Sequence, residues 1–187
     1  MSNVELAAPA DPLQPTPPPA SGPSARVLTL VVATALFMEA LVSTVIATSL
    51  AAMAQDLQVD PLTLKLAFTA YFVALAMFIP ISGWCADRYG AKTVFAASIA
   101  VFTASSVACA LAWDLHSLVA GRFGQGLGGA LMLPVGRLIL LRAIPKREMV
   151  AAMAWLSIPT LFAPLVGPPI GGFITTYYHW RGIFWLN

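Results

Sequence analysis

Two charged side chains stand inside long apolar stretches of this sequence. Glu39 lies near the middle of the first stretch, and Arg122 lies in a later one, three residues before Gln125. A charge at the centre of a bilayer costs at least about 2.5 kcal/mol on insertion scales, so such a residue faces the protein interior, water or a partner. Arginine stays protonated, whereas a carboxyl group can exchange a proton. The pattern predicts that Arg122 pairs with a carboxylate or biases its proton transfer, with Glu39 as the candidate. The alternative is a purely structural hydrogen-bond hub of Arg122 and Gln125.

The composition indicates an integral membrane protein without enzymatic chemistry. Hydrophobic residues make up 59% of the chain and charged residues 10%, against about 25% charged residues in soluble domains. A net charge of +2 is too small to predict a nucleic-acid partner. The two cysteines and two histidines have no metal-ligand or redox spacing, and no nucleophile–base pair or phosphate loop is present. We therefore expect no cofactor, no metal and no catalytic site.

The apolar stretches predict an all-α membrane fold. The Pro- and Ala-rich residues 1–25 cannot bury a core and are interpreted as a disordered tail, and residues 26–187 as one transmembrane region. The predicted spans cover about 27–54, 64–85, 93–112, 117–141 and 149–176. A further apolar run at 182–187 is shorter than the roughly 20 residues that a span needs. We interpret it as the start of a sixth helix, and we expect Pro80 to kink the second.

A short polar stretch between spans two and three is the most compact connection in the sequence. Its glycines and charged residues are Gly83, Asp87, Arg88, Gly90 and Lys92. We predict a tight turn in which Gly90 supplies the permissive backbone. A carboxylate opposes the dipole at a helix C-terminus, so Asp87 is expected to serve the N-terminus of the next helix or of another helix nearby.

Small residues recur at four-residue spacing in spans four and five. Gly124 and Gly128 form one such ridge, and Ala163, Gly167 and Gly171 form a second. Ridges of this kind let another helix approach the backbone closely.

Basic residues predict the orientation of the chain. Most of them lie at the tail, in the loop after span two and in the loop after span four. The positive-inside rule places these segments in the cytoplasm. The sequence therefore predicts a multi-pass protein of the plasma (inner) membrane with a cytoplasmic N-terminus.

Four segments together resemble the major facilitator superfamily, in its drug:proton antiporter branch with fourteen spans. They are the polar stretch with Gly83, Asp87, Arg88, Gly90 and Lys92; the helix with Arg122, Gln125, Gly126 and Gly129; the Gly-Pro segment with Gly167, Pro168, Gly171 and Gly172; and residues 180–187. The resemblance implies the N-terminal six-helix bundle of a transporter. It also implies alternating-access export of hydrophobic small molecules in exchange for protons. The partners implied are the lipid bilayer, a small-molecule substrate, protons and a C-terminal half.

The resemblance also implies roles for two of these segments. Asp87 is expected to act as a cytoplasmic latch on a helix of the other half. Gly167 and Pro168 are expected to set a bend in span five that controls leak and direction. The alternative for this segment is a kinked helix with a static packing role.

The first span departs from the pattern of such exporters. Val42, Ala47 and Ala51 stand where an Asp, an Asn and a Pro are usual. Glu39 lies one helical turn before Val42, on a neighbouring face. Two alternatives stay open: Glu39 takes over the carboxylate role, or that role is absent.

Three functions fit these observations. The first is the N-terminal part of a proton-coupled drug exporter, truncated at residue 187. The second is a non-transporting membrane interaction protein or an inactive gene fragment, pairing through the two small-residue ridges. The third is a carrier of the same superfamily for another small solute, which the Gly-Pro segment argues against.

Overall fold

The computed structural model describes residues 23–187, and the predicted disordered tail lies mostly outside this range. The described helices are α1 (Pro23–Asp56), α2 (Pro61–Phe78), α3 (Ser82–Tyr89), α4 (Ala91–Ala110), α5 (Leu115–Ala143), α6 (Met149–Tyr177) and α7 (Gly182–Trp185). A 3-10 turn, Lys146–Glu148, joins α5 to α6. The first helix begins four residues before the predicted start of the first span.

Five of these helices are long and apolar enough to cross a membrane: α1, α2, α4, α5 and α6. The short helix α7 follows them. The predicted all-α membrane fold, with five complete spans and the start of a sixth, is confirmed. The chain is a multi-pass membrane protein.

Aspartates start two of the spanning helices. The Asp60 carboxylate accepts a hydrogen bond from the Leu62 N–H at 2.7 Å, and Pro61 stands at the first helical position of α2. Asp114 and Ser117 form a reciprocal capping box at α5. The pKa of Asp114 is lowered from its ordinary value mainly by a hydrogen bond from the Ser117 side chain, and further by one from the Ser117 backbone N–H. Each cap satisfies backbone donors that have no partner within the helix.

The second predicted span is two helices rather than one kinked helix. Proline lacks the N–H that continues an α-helix, and α2 ends two residues before Pro80. Two hydrogen bonds between residues three apart bridge the break. The Ile81 N–H donates to the Phe78 carbonyl and the Ser82 N–H to the Ile79 carbonyl, both at 3.2 Å. The short helix α3 then begins.

Most of the stretch predicted to be a tight turn is helical, because α3 extends to Tyr89. The reversal is confined to Gly90, whose φ of +86° suits glycine far better than other residues. The prediction that Asp87 caps a helix is wrong for α4. The N-cap of α4 is Gly90, without a side-chain hydrogen bond.

Glycines of α5 let two neighbouring helices approach its backbone. A methyl group on Gly126 would lie 2.7 Å from the Ala74 Cβ and against the Tyr71 carbonyl, both in α2. A methyl group on Gly128 would lie 2.8 Å from the Ser98 carbonyl of α4. Since such contacts are impossible for a side chain, only glycine allows α2 and α4 to pack this closely on α5.

The second small-residue ridge joins α6 to α1. A methyl group on Gly167 would lie 3.0 Å from the Thr44 Cβ, and one on Gly171 would lie 2.9 Å from the Val45 carbonyl. Both predicted ridges are therefore covered by helices of the same chain. They are not free to pair with another protein.

The buried apolar side chains form two cores, one above the other along the helices. The Gly90-end core lies near the α3–α4 reversal and includes Val32, Leu36, Phe95, Val135 and Leu140. The Asp56-end core lies at the opposite end and includes Val42, Val45, Leu64, Leu118 and Phe184. Each of α1, α4 and α5 contributes to both cores.

Replacing Gly171 by alanine tests the close approach of α1 and α6. We expect Gly171→Ala to lower the free energy of unfolding by about 1–3 kcal/mol, because the new methyl group overpacks the interface. Unfolding of the chain in mild detergent by titration with SDS, followed by tryptophan fluorescence, measures this change.

Gly172→Ala is the matched control on the neighbouring residue. Within the described residues, no atom beyond the chain neighbours and the backbone of its own helix lies within 4 Å of a methyl group at this position. The free energy of unfolding should therefore change by less than about 1 kcal/mol. Equal losses in the two variants would contradict the packing described here.

Candidate functional site

A layer of polar side chains lies between the two apolar cores. In α1, Glu39 follows the Gly90-end core residue Leu36 and precedes residues of the Asp56-end core. The polar residues at the same level are Tyr71 in α2, Ser106 in α4, and Arg122 and Gln125 in α5. We call Glu39, Tyr71, Ser106, Arg122 and Gln125 the polar layer.

Arg122 is buried at the centre of this layer, with 2% of its surface exposed. Its Nη1 donates a 2.7 Å hydrogen bond to the Gln125 Oε1. Its guanidinium carbon lies 4.4 Å from the centre of the Tyr71 ring, in cation–π contact. Its Nε is buried without a hydrogen-bond partner in the described part of the chain.

Gln125 links Arg122 to Ser106 of α4, which also binds Asn187 just after α7. Its Nε2 donates to the Ser106 hydroxyl oxygen at 2.8 Å, and the Asn187 side-chain amide donates to the same oxygen at 3.1 Å. The Cys109 thiol contacts the Gln125 Oε1 at 3.8 Å. A buried glutamine is thus held by polar groups on three sides.

Glu39 forms the other half of the layer. Its carboxylate accepts a short hydrogen bond from the Tyr71 hydroxyl. The Ser43 hydroxyl lies 3.1 Å from the Tyr71 oxygen and 3.1 Å from the Glu39 backbone carbonyl. Gly129 of α5 lies next to the pair, since a methyl group there would be in ordinary contact with the carboxylate at 3.4 Å and with the phenol oxygen at 3.5 Å.

The predicted pairing of Glu39 with Arg122 is indirect. No ion pair within 4.0 Å joins them among the side chains that the structure describes. Instead the Tyr71 hydroxyl contacts the carboxylate, while the Tyr71 ring faces the guanidinium. The direct partner of Arg122 is Gln125, as in the alternative of a hydrogen-bond hub. Tyr71, which the sequence analysis did not single out, contacts both Glu39 and Arg122 and so places them in one site.

The first-span positions that differ from the exporter pattern carry no polar group into this layer. Val42 is buried in the Asp56-end core. Ala47 and Ala51 are exposed. Glu39 is therefore the residue of α1 that places a carboxyl group in the polar layer.

The other predicted site residues lie elsewhere in the bundle. Asp87 forms a 2.9 Å ion pair with Arg142 at the end of α5, so this partner lies within the same chain. Arg88 and Lys92 are exposed beside it.

The Gly-Pro segment of α6 packs on α1 through Gly167 and Gly171, while Pro168 is exposed and Gly172 lies beside open space. The helix runs unbroken through Pro168. The contacts give Gly167 a packing role.

Sequence reasoning also missed a cluster at the Asp56 end. The Asp56 carboxylate accepts hydrogen bonds from the Trp180 indole at 3.0 Å and from Arg181 at 2.9 Å. Arg181 also donates to the Ala112 carbonyl at 2.8 Å. This cluster ties α1, the α4–α5 turn and the start of α7 together. The signal was present, since Asp56 and Arg181 carry opposite charges at the same predicted membrane face.

An apolar cavity of about 750 Å³ opens between α1 and α6 at the Gly90 end. Its walls include Leu30, Phe37, Ile144, Trp155 and Pro159, and Glu148 and two threonines supply the polar groups. The two helices touch along the Gly167–Gly171 ridge, and towards the Gly90 end Ala152 and Leu156 of α6 are buried in the same core as Val32 of α1.

Comparison with known proteins assigns the family. The family model described as Major Facilitator Superfamily matches residues 32–187. The chain is similar over 157 residues to proteins named "Putative multidrug resistance protein MdtD" from Yersinia enterocolitica, Serratia proteamaculans and Pectobacterium carotovorum, at 41%, 40% and 41% identity. The match covers 84% of this chain but 34%, 33% and 34% of those proteins. The chain therefore spans about a third of the length of these relatives, and it belongs to the major facilitator superfamily.

Proposed function

We propose that this chain is the N-terminal part of a membrane transporter that exports hydrophobic small molecules in exchange for protons. Transport, rather than catalysis, is the activity of the family. The observation that carries the proposal is the polar layer, where Glu39 and Arg122 meet at Tyr71 in the middle of an apolar bundle.

A buried carboxyl group near a fixed cation suits proton coupling. Only one of the two groups changes its charge readily, because arginine stays protonated. When Glu39 takes up a proton, the layer gains one positive charge in a medium that stabilises charge poorly. The free energy of the bundle therefore depends strongly on this one proton.

The cavity between α1 and α6 supports hydrophobic substrates. Its volume lies within the range of about 300–1,000 Å³ that is typical of ligand pockets. Its walls are mostly apolar and include the aromatic rings of Phe37 and Trp155. The names of the relatives, which refer to multidrug resistance, agree with this substrate class.

The active transporter, in this proposal, includes a second helical half. Alternating access requires two bundles that rock about a site near the membrane midplane. The Asp87–Arg142 pair is 70% and 56% exposed, and exposed pairs contribute only about 0–1 kcal/mol. Asp87 can therefore exchange Arg142 for a partner on the second half at little cost, which preserves the latch role.

The alternative of an interaction protein loses its proposed surface. It required the Gly124/Gly128 and Gly167/Gly171 ridges to be free, and α4 and α1 cover them. A carrier for another solute remains the second candidate within the family, and the choice of transported compound in the assays below separates it from a drug exporter.

We expect Glu39→Gln to reduce proton-driven transport at least about tenfold, since a neutral amide cannot carry the proton. Arg122→Lys should also impair it, because a lysine cannot reproduce the planar contact with Tyr71 and Gln125. The complete reading frame that contains residues 1–187 is reconstituted in proteoliposomes, and uptake of a fluorescent lipophilic cation is followed under an imposed pH gradient.

Thr69→Val is the control for these variants. Thr69 is exposed on α2, and its hydroxyl bonds only the Lys65 carbonyl of the same helix, so transport should be unchanged. Uptake that is equally fast in Glu39→Gln and in the unmodified protein would remove proton coupling from the proposal.

Trp155→Ala tests the cavity. We expect the KM for the transported cation to rise by about three- to tenfold, because a loss of roughly 1 kcal/mol of apolar contact weakens binding by about this factor. Trp113→Ala is the matched control, since Trp113 lies on the α4–α5 turn at the Asp56 end. If the two variants had the same KM, the cavity would not bind the substrate.

Cysteine labelling tests the proposed orientation, in which the protein lies in the plasma (inner) membrane and its N-terminus is in the cytoplasm. In a background without Cys85 and Cys109, we expect His116→Cys to react with an impermeant maleimide from outside. The His116 side chain is 95% exposed at the Asp56 end. Lys92→Cys, exposed at the Gly90 end, should react only after permeabilisation. Labelling of both positions from the same side would contradict the topology.

A further inference from the structure

The side chains of Glu39, Tyr71 and Ser43 form one hydrogen-bonded set. The Tyr71 hydroxyl donates to the Glu39 carboxylate. The Ser43 hydroxyl lies 3.1 Å from the Tyr71 oxygen and 3.1 Å from the Glu39 backbone carbonyl. Ser43 lies one helical turn after Glu39, so α1 presents both groups to the same tyrosine of α2.

The donors and acceptors of this set balance when Glu39 is ionised. A hydroxyl has one hydrogen and two lone pairs, whereas a carboxylate only accepts. Tyr71 must then donate to the carboxylate, whose Oε1 is its hydrogen-bond partner. Ser43 is left to donate to the Tyr71 oxygen or to the Glu39 carbonyl, and every group has a partner.

The same set also balances when Glu39 is protonated. The carboxyl group then has a hydrogen of its own and can donate it to the Tyr71 oxygen. The Tyr71 hydrogen turns to the Ser43 oxygen, and the Ser43 hydrogen turns to the Glu39 backbone carbonyl. One proton is added to the carboxylate, and otherwise only the directions of hydrogen bonds change.

We propose that Tyr71 and Ser43 form a reversible hydrogen-bond relay that holds the Glu39 side chain in one place in both protonation states. The proposal rests on the proposed function, in which Glu39 exchanges the coupled proton. Tyr71 and Ser43 are positioning residues in this scheme, because the transported proton stays on the carboxyl group.

Tyr71 also connects the relay to the fixed positive charge. When its hydroxyl donates to a carboxylate, the ring gains electron density and attracts the guanidinium of Arg122, 4.4 Å from its centre, more strongly. When the hydroxyl donates to Ser43, this attraction falls. The Tyr71 hydroxyl and Arg122 are the titratable and charged groups that act on the carboxyl group within residues 23–187. Ser106 of α4 and Gln125 add neutral contacts to the Arg122 side of the layer.

The α5 backbone fixes the relay in position. The Tyr71 carbonyl of α2 packs directly on the backbone of Gly126, and Gly129 lies next to the carboxyl and phenol groups. Because α2 cannot slide along α5 at this close contact, the hydrogens of the relay reorient while the heavy atoms stay in place.

Infrared difference spectroscopy of the whole 187-residue chain in lipid bilayers tests the relay. Spectra at low and high pH should contain a carbonyl band of the protonated Glu39 carboxyl group, which Glu39→Gln removes. We expect Tyr71→Phe to move this band to higher wavenumber, because the carboxyl hydrogen loses its acceptor. Ser43→Ala should move it less, and Thr69→Val, which removes another hydroxyl of α2, should leave it unchanged. An unmoved band in Tyr71→Phe would overturn the relay.

Transport by the complete protein gives the second measurement. Tyr71→Phe should lower kcat, leave KM nearly unchanged and displace the pH profile of transport, whereas a loss of packing alone would not displace the profile. An unchanged profile would also overturn the relay. A different result would contradict the proposed function. In that case the infrared band would still move in Tyr71→Phe, which supports the relay, but Glu39→Gln would transport with full proton coupling.

Discussion

The lack of water in the bilayer core is the constraint on which this structure depends. A polar side chain at that depth must find its partners within the protein. The five residues of the polar layer come from four helices and satisfy one another, and the Arg122 Nε is the atom left without a partner in the described chain. A buried unpaired donor costs about 1–3 kcal/mol. The four helices must therefore be held at one level, with little freedom to slide.

Glycine makes this arrangement possible. A polar contact of 2.7–3.1 Å between two helices requires their backbones to approach more closely than leucine or phenylalanine allows. Gly126 and Gly128 bring α2 and α4 onto opposite sides of α5, which places Tyr71 over Arg122 and Ser106 against Gln125. Gly126, from the segment that resembles the family, and Gly128, from the small-residue ridge, thus have a direct structural role. They set the distances within the polar layer.

The sequence predicts the parts of this site that lie on a single helix. Arg122 and Gln125 are three residues apart, so their contact follows from helical spacing. The number of spans follows from apolar length. The contact between Glu39 and Tyr71, 32 residues apart, depends on which helix faces which, and hydropathy does not contain that information. Tyr71 resembles any interfacial aromatic residue. The contact of Asp87 with Arg142, 55 residues later on another helix, likewise depends on helix packing. The break at Pro80 was expected as a kink, since a proline predicts a lost hydrogen bond but not where the helix resumes.

The two ends of the bundle are held by different polar contacts, with the polar layer between them. At the Asp56 end, one carboxylate binds Trp180 and Arg181, and Arg181 also binds the Ala112 carbonyl. At the Gly90 end, an exposed Asp87–Arg142 pair links α3 to α5, and an apolar cavity is lined by residues of α1 and α6. A packed apolar core transmits strain instead of absorbing it. Glu39 lies between the two cores, so strain at the polar layer would reach both ends of the bundle through packed side chains.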